Sequence, residues 1–403
     1  MRPMLAAVSA LALSACGMNG TDRNNADNEE IASAESEPTN LADSMASSDP
    51  APGETYATDL PDPEDRPIMQ AQVVLDRAGF GPGVIDGKMG LSTTNALEAF
   101  QESRDLPVTG ELDEATKSAL SDWDNIPATR VVTIPREWAG VGYKDIPDDP
   151  AEQAKMDRLG YESLDEKLAE RFHTTIDVLQ QLNPGGRPAG ASEAGPSSPS
   201  PSRSAAASSS ATPSPDGTES ASESIFTAGQ QIRVPNIGAD RIAPNSIQDR
   251  GWQETLASLG VGTEQPEVVR IVVDESEKWL RAYDSDDKLV AAFTVTSGSS
   301  RDPLPIGDWG ITGVGRNPPF SYQPDLFWDV PDSEEEQQLP PGPNGPVGVV
   351  WIDLTKEHYG IHGTGEPQTI GRAQSHGCVR LTNWDAARLA GMVNTQTKVI
   401  FQA

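Results

Sequence analysis

Ile361-His362-Gly363-Thr364-Gly365-Glu366 and, after a short spacer, Ser375-His376-Gly377-Cys378-Val379-Arg380-Leu381 hold most of the reactive side chains of this chain. Cys378 is one of two cysteines, the other being Cys16, and two of the four histidines fall in this segment. Taken singly, each residue has an ordinary explanation. A lone cysteine is usually a small buried hydrophobe, and a histidine beside a glycine is usually a turn residue. The segment offers one thiol and no His-x-x-x-His or Cys-x-x-Cys spacing, so neither a metal nor another cofactor is expected. Taken together the residues point to a nucleophile. The attacking species of a cysteine is the thiolate, which a neighbouring imidazole stabilises, and His362 and His376 are both candidates for that base. Such an ion pair brings a thiol pKa from ~8.5 down to ~3.5–7.5. Arg372 and Arg380, with no acid between 370 and 382, add to the expectation of a resting thiolate. Gly377 and Cys378 offer successive backbone N–H groups to a tetrahedral oxyanion.

The joint pattern resembles the signature of the L,D-transpeptidase catalytic domain, a His-Gly-Thr followed by Ser-His-Gly-Cys-(Val/Ile)-Arg. Flanking stretches match as well: Leu339-Pro340-Pro341-Gly342-Pro343 and Gly345-Pro346-Val347-Gly348 upstream, Leu381-Thr382-Asn383-Trp384-Asp385-Ala386 downstream. The resemblance implies a mainly-β catalytic domain over residues 265–403. Within it Cys378 is the nucleophile, His362 the base, the Gly363 carbonyl the group that orients the base, and His376 a pocket-shaping residue. Arg380 either binds a substrate carboxylate or braces its loop, and bracing is the reading preferred. Ser375 and Trp384 read as structural and His358 as a surface residue. β-rich runs at 268–273, 289–296, 347–352 and 398–401 fit a sheet, and Trp252 to Leu259 a joining helix. Pro-rich stretches at 317–328 and 334–348 read as loops at a functional rim.

With 403 residues the chain is too long for one ordinary domain. A formal charge of −31 argues against nucleic acid as a partner, which needs a basic face. Residues 17–66 carry thirteen acids against two arginines and almost no large apolar groups, so a disordered acidic linker is expected there. Ahead of it, Arg2 and the apolar run Met4 to Leu13 have the form of a secretory signal over 1–16. Leu13-Ser14-Ala15-Cys16 resembles a bacterial lipobox, which implies lipidation of Cys16. Gly17 after it favours, by analogy, the outer membrane.

Residues 67–123 show three turn-spaced apolar sets: Ile68, Ala71 and Leu75; Ala96 and Phe100 behind Ser92 as N-cap; Leu112, Thr116 and Leu120 around Asp113. With Gly79-Phe80-Gly81-Pro82-Gly83-Val84-Ile85-Asp86-Gly87 between the first two, this unit resembles the small all-α, three-helix peptidoglycan-binding domain. Residues 127–238 hold a capping box, Ser163 with Glu166, a second short helix after Thr175, and a strand at Ile232 and Val234. Leu182-Asn183-Pro184 and the run from Gly229 to Pro235 resemble the lysin motif, an α+β glycan-binding module, here split by a Ser/Pro-rich insert at 185–224. No strand is marked directly before Tyr161, and His173 reads as a surface helix residue.

The resemblances together imply a multidomain, lipid-anchored periplasmic enzyme associated with the cell wall, its partners being peptidoglycan stem peptides and glycan. Cys378 would attack the amide after the third stem residue, release D-Ala, and pass the acyl group to the amine of a second stem or of an envelope protein. Hydrolysis or exchange at the same site is one alternative. A non-catalytic tether between membrane and wall is another.

Overall fold

The computed structural model describes residues 55–56, 60–121, 123–191, 224–238, 241–326, 330, 334–375 and 377–403. The leader with Cys16, most of the acidic stretch, most of the 185–224 insert, and His376 lie outside the described residues.

The chain enters with β1 (Thr55–Tyr56) and then α1 (Pro67–Arg77), which starts on a proline, where the missing N–H has no helical partner to lose. β2 (Phe80–Gly81), α2 (Leu91–Ser103) and α3 (Glu114–Ala119) complete the helical unit. Asp113 caps α3 by accepting from the Thr116 N–H at 2.8 Å. α2 begins behind Gly90 rather than Ser92, so the serine sits inside the first turn.

A βααβ arrangement follows: β3 (Thr129–Thr133), the one-turn α4 (Pro150–Gln153), α5 (Leu164–Arg171), α6 (Ile176–Leu182) and β4 (Gln231–Pro235). Ser163 and Thr175 cap α5 and α6, and Glu166 turns back to accept from the Glu162 N–H at 2.6 Å. The first strand, unmarked before Tyr161, is β3, which pairs antiparallel with β4 (Val131↔Arg233) across a long connection. Residues 60–66, within the stretch expected as linker, are among those described and make contacts. The buried Arg233 guanidinium needs acceptors, and the carbonyls of Leu60 and Pro61 supply them at 3.0 Å each. β1 then adds to the outer side of β3. The helical unit and the βααβ unit share one core, with Val73, Leu97 and Phe100 packed in the same cluster as Leu168, Leu179 and Ile232.

α7 (Arg250–Leu259), capped by Asp249 and ended by Gly260 in the left-handed region, leads into the large sheet. Its strands are β5 (Arg270–Asp274), β6 (Trp279–Tyr283), β7 (Leu289–Thr294), β8 (Thr296–Ser297), β9 (Gly307–Arg316), β12 (Val350–Leu354), β13 (Gly360–His362), β14 (Val379–Arg380) and β15 (Lys398–Gln402). β10 (Phe320–Tyr322) and β11 (Gln337–Leu339) form a separate hairpin. The order in the large sheet is β2-β7-β6-β5-β15-β9-β12-β13-β14-β8. α8 (Asn383–Met392) belongs to the same apolar cluster as the sheet, with Trp384, Ala387 and Leu389 alongside Ile352, Ile361 and Val379. One edge is closed by β2 of the helical unit, which pairs parallel with β7 (Phe80↔Ala292).

Where the units meet, a buried polar cluster replaces apolar packing. Arg388 of α8 grips Asp76 of α1 with two hydrogen bonds, at 2.9 and 3.1 Å. His173 faces the same carboxylate at 3.2 Å through Nδ1 and the Leu259 carbonyl at 2.9 Å through Nε2. Its ring stacks on Trp384 with centroids 4.7 Å apart. His173 is therefore no surface residue: it is fully buried, with a φ of 52° at the end of α5 turning the ring inward. Trp384, read as structural, is fully buried beneath it.

Burial alone drives the Asp76 carboxyl up, but Arg388 and His173 overcome it and hold it well below the usual carboxylate range. Asp385 goes the other way: burial, with Asp76 adding to it against Arg388, raises it to about 7. A depressed acid contributes stability above its unfolded pKa and loses it only as pH falls through the folded value. A raised acid contributes fully below its unfolded pKa and loses that contribution as pH rises to the folded value. Urea unfolding should accordingly show higher stability near pH 5 than near pH 8, and Asp385→Asn should flatten the difference. Asp76→Ala, which removes the carboxylate that two Arg388 hydrogen bonds and His173 meet, should cost roughly 3–5 kcal/mol in the same measurement.

Candidate active site

β13 lies between β12, paired antiparallel (Trp351↔His362), and β14, paired parallel (Ile361↔Val379, His362↔Arg380). Ile361 and Val379 turn into the core beneath α8. Because strand side chains alternate, His362 and Arg380 share the opposite face, and Cys378 immediately precedes β14 with its sulfur against the His358 carbonyl just ahead of β13. His362 and Cys378 are one strand apart with an offset of two residues, which places their Cα atoms about 8 Å apart.

His362 is 4% exposed, its ring stacked on Trp351 with centroids 5.6 Å apart. Its Nδ1 lies 2.8 Å from the Gly363 carbonyl. A carbonyl only accepts, so Nδ1 carries the proton and Nε2 is left as the bare acceptor. Gly363 has no room for a side chain, because a Cβ there would meet Asn383 Oδ1 at 2.3 Å. Asn383 in turn is held on all sides. Its Oδ1 accepts from the Val349 N–H at 3.2 Å, and its Nδ2 donates to the Pro343 carbonyl at 2.9 Å and to Glu170 Oε1 at 2.7 Å. Glu170 belongs to α5, so the βααβ unit braces the backbone behind His362.

Cys378 is half-buried, its thiol donating to the His358 carbonyl at 3.8 Å. Gly377 before it has a φ of 99°, and a Cβ there would meet Tyr359 at 2.5 Å, so this position needs glycine twice over. Ser375 Oγ donates to the Cys378 carbonyl at 2.6 Å and accepts from the Gly377 N–H at 3.3 Å. That last bond is long, and an oxyanion would compete for the same donor. The His358 ring is exposed, as expected, but its main chain, with φ of 65°, and Tyr359 form part of the site. Neither carries a sequence signal, because one acts through its carbonyl and the other through its ring face. Arg380 is half-buried, and its Nε has no hydrogen-bond partner among the described residues. His376 and Cys16 lie outside them.

Among the described residues the electrostatics favour neutral groups over a resting ion pair. Burial pushes the Cys378 thiol up, and the Gly360 N–H and Arg380 offset this only in part. Burial, with Arg380 second, pushes the His362 imidazole down to about 4, against the pull of the Gly363 carbonyl. Both groups are neutral at pH 7. The low-dielectric setting penalises each charged form more than a nearby cation repays.

Comparison with known proteins places two regions of the chain in known families. Residues 268–401 match the L,D-transpeptidase catalytic domain, and residues 64–120 match the peptidoglycan binding domain. The protein named L,D-transpeptidase YkuD in Bacillus licheniformis is 34% identical over 140 residues, covering 34% of this chain and 69% of its own. The one named L,D-transpeptidase ErfK/SrfK in Escherichia coli K12 is 32% identical over 171 residues, covering 41% of this chain and 52% of its own. Among solved structures, L,D-transpeptidase 3 from Mycobacterium tuberculosis, in complex with a faropenem-derived adduct, overlaps 34% of this chain and 60% of its own. Its identity is 17% and its TM-score 0.28, too slight a likeness to bear on function.

Iodoacetamide alkylation of Cys378, followed against pH by mass spectrometry, should show its inflection above the ordinary thiol range. Arg380→Met removes a cation that favours the thiolate, so it should move the inflection higher still.

Proposed function

The chain belongs to the L,D-transpeptidase family, and we propose that it is a cell-wall acyltransferase working through Cys378 and His362. The observation that carries this reading is the fixed tautomer of His362. Its Nδ1–H is spent on the Gly363 carbonyl, and a bare Nε2 is left on the strand next to the one that Cys378 precedes.

As Sγ attacks the amide carbonyl after the third residue of a stem peptide, His362 Nε2 takes the thiol proton. Charge moves to the carbonyl oxygen, where the N–H groups of Gly377 and Cys378 receive it. The C–N bond then breaks, the amine of D-Ala leaves with the proton from His362, and a thioester remains on Cys378. An acceptor amine attacks the thioester and gives its proton to His362, and the expelled sulfur takes that proton back. Atoms and charge balance without a cofactor. Because thiol and imidazole both start neutral, proton transfer accompanies attack and does not precede it. The Arg380 Nε, which has no hydrogen-bond partner among the described residues, favours a role in holding a substrate carboxylate over the bracing role preferred from sequence.

The peptidoglycan-binding domain supports association with the wall polymer. The βααβ unit, read as a lysin-motif module, would add a contact to glycan. Lipidation at Cys16, with periplasmic localisation at the outer membrane, completes the picture as a proposal from sequence. Acceptor choice between a stem peptide, an envelope protein and water is decided by the product. Disaccharide-tetrapeptides should yield cross-linked dimers and free D-Ala; tripeptide alone would make the enzyme a carboxypeptidase, and no product would leave a tether. A carbapenem should add its mass to Cys378. His362→Ala should slow that acylation by roughly 10²–10⁴-fold, the usual range for a lost general base, and Cys378→Ala should abolish it.

A further inference from the structure

A second cleft, of about 640 Å³, opens between the βααβ unit and the sheet. Its walls include Lys144, Arg158, Tyr161, Lys167, Ser258 and Pro341. Lys167 is only 7% exposed, yet it has no carboxylate within ion-pair distance among the described residues. Its ammonium lies over two aromatic faces, Trp138 at 4.6 Å and Tyr161 at 4.8 Å, and donates to Ser258 Oγ at 2.5 Å. An ammonium has three donors, so this one retains capacity. Burial lowers Lys167 to about 8; Glu170 opposes that, while Arg158 and Arg171 are close enough to push it down further. Repelling cations gathered in one place gain most from an incoming anion. Two exposed acids, Asp157 and Glu254, also line the cleft without meeting Lys167.

Three cations against two acids line this cleft, a small positive excess in a chain of net −31, which as a whole repels acidic ligands. An acidic substrate therefore needs a local site of opposite sign. The cleft is linked to the candidate active site through Asn383: Pro343 lines the cleft, its carbonyl accepts from Asn383, and Asn383 abuts Gly363 behind His362.

We propose that the cleft around Lys167 is a docking site for an acidic peptide bearing free carboxylates, namely the acceptor stem of a second peptidoglycan strand. A carboxylate would be received by the Lys167 ammonium and the Arg158 guanidinium, with Tyr161 flanking the peptide. The identity of the peptide rests on the transpeptidase reading; the anion site does not.

The test is calorimetric titration of the full chain carrying Cys378→Ala with the free tripeptide L-Ala-γ-D-Glu-diaminopimelate. Lys167→Met keeps the aliphatic stem against Trp138 and Tyr161 while removing the charge, and it should weaken binding about tenfold. Lys167→Arg should restore most of the affinity, and melting temperatures should show both variants folded. Equal affinity in Lys167→Met, or no binding to the parent chain, would overturn the site. Wild-type chain acylated at Cys378 by a carbapenem should still bind the tripeptide, since the cleft lies apart from the sulfur; loss of binding would make the two sites one. If the carbapenem leaves no adduct, the transpeptidase reading fails, while the titration still decides whether the anion site exists.

Discussion

The two-residue parallel pairing of β14 against β13 fixes everything chemical in this protein. With Ile361 opposite Val379 and both side chains committed to the core, the alternation of strand side chains leaves no freedom in what faces outward. A slip of one residue would send His362 and Arg380 into the apolar layer under α8 and expose Val379. The cost of burying a base and a guanidinium there makes that slip prohibitive. Short as the pairing is, it is stiffened from both sides, by β12 with its stacked Trp351 and by β8 at the sheet edge.

A thiol kept neutral beside a neutral imidazole differs in character from a preformed thiolate. Neutral thiols resist oxidation and stray electrophiles. Reactivity then depends on a substrate that enters, displaces water and lets the proton move as the bond forms. Arg380 stands near both groups and acts on them in opposite senses, favouring thiolate over thiol and imidazole over imidazolium. A single cation thereby biases the pair toward the state in which the base is free and the nucleophile can charge.

Much of this was legible in the sequence, because the motif residues act through side-chain chemistry and local turns. Cys378, His362 and the glycines at 363 and 377 fall together, and the caps at Asp113, Ser163 and Thr175 form where spacing predicts them. What escaped the sequence acts at long range. His173 read as a surface residue because its polar partners, Asp76 and the Leu259 carbonyl, are remote in the chain. β3 escaped because its partner strand lies beyond three helices and an insert. Charge state is less legible for a different reason: spacing reports which groups fall on neighbouring strands, and burial, which biases their charge, is a property of the packed whole.

The pairing of β2 with β7 has a consequence for how the protein can be divided. A strand from the N-terminal unit finishes the edge of the catalytic sheet, so the catalytic region cut out at its family boundary would present an open row of amides and carbonyls to its neighbours. Arg388 and Asn383 would lose their carboxylate partners in the same cut. What family matching reads as separate modules is joined in this chain by a shared sheet edge and by buried ion pairs and hydrogen bonds, so the catalytic sheet is finished and braced by residues outside its family boundary.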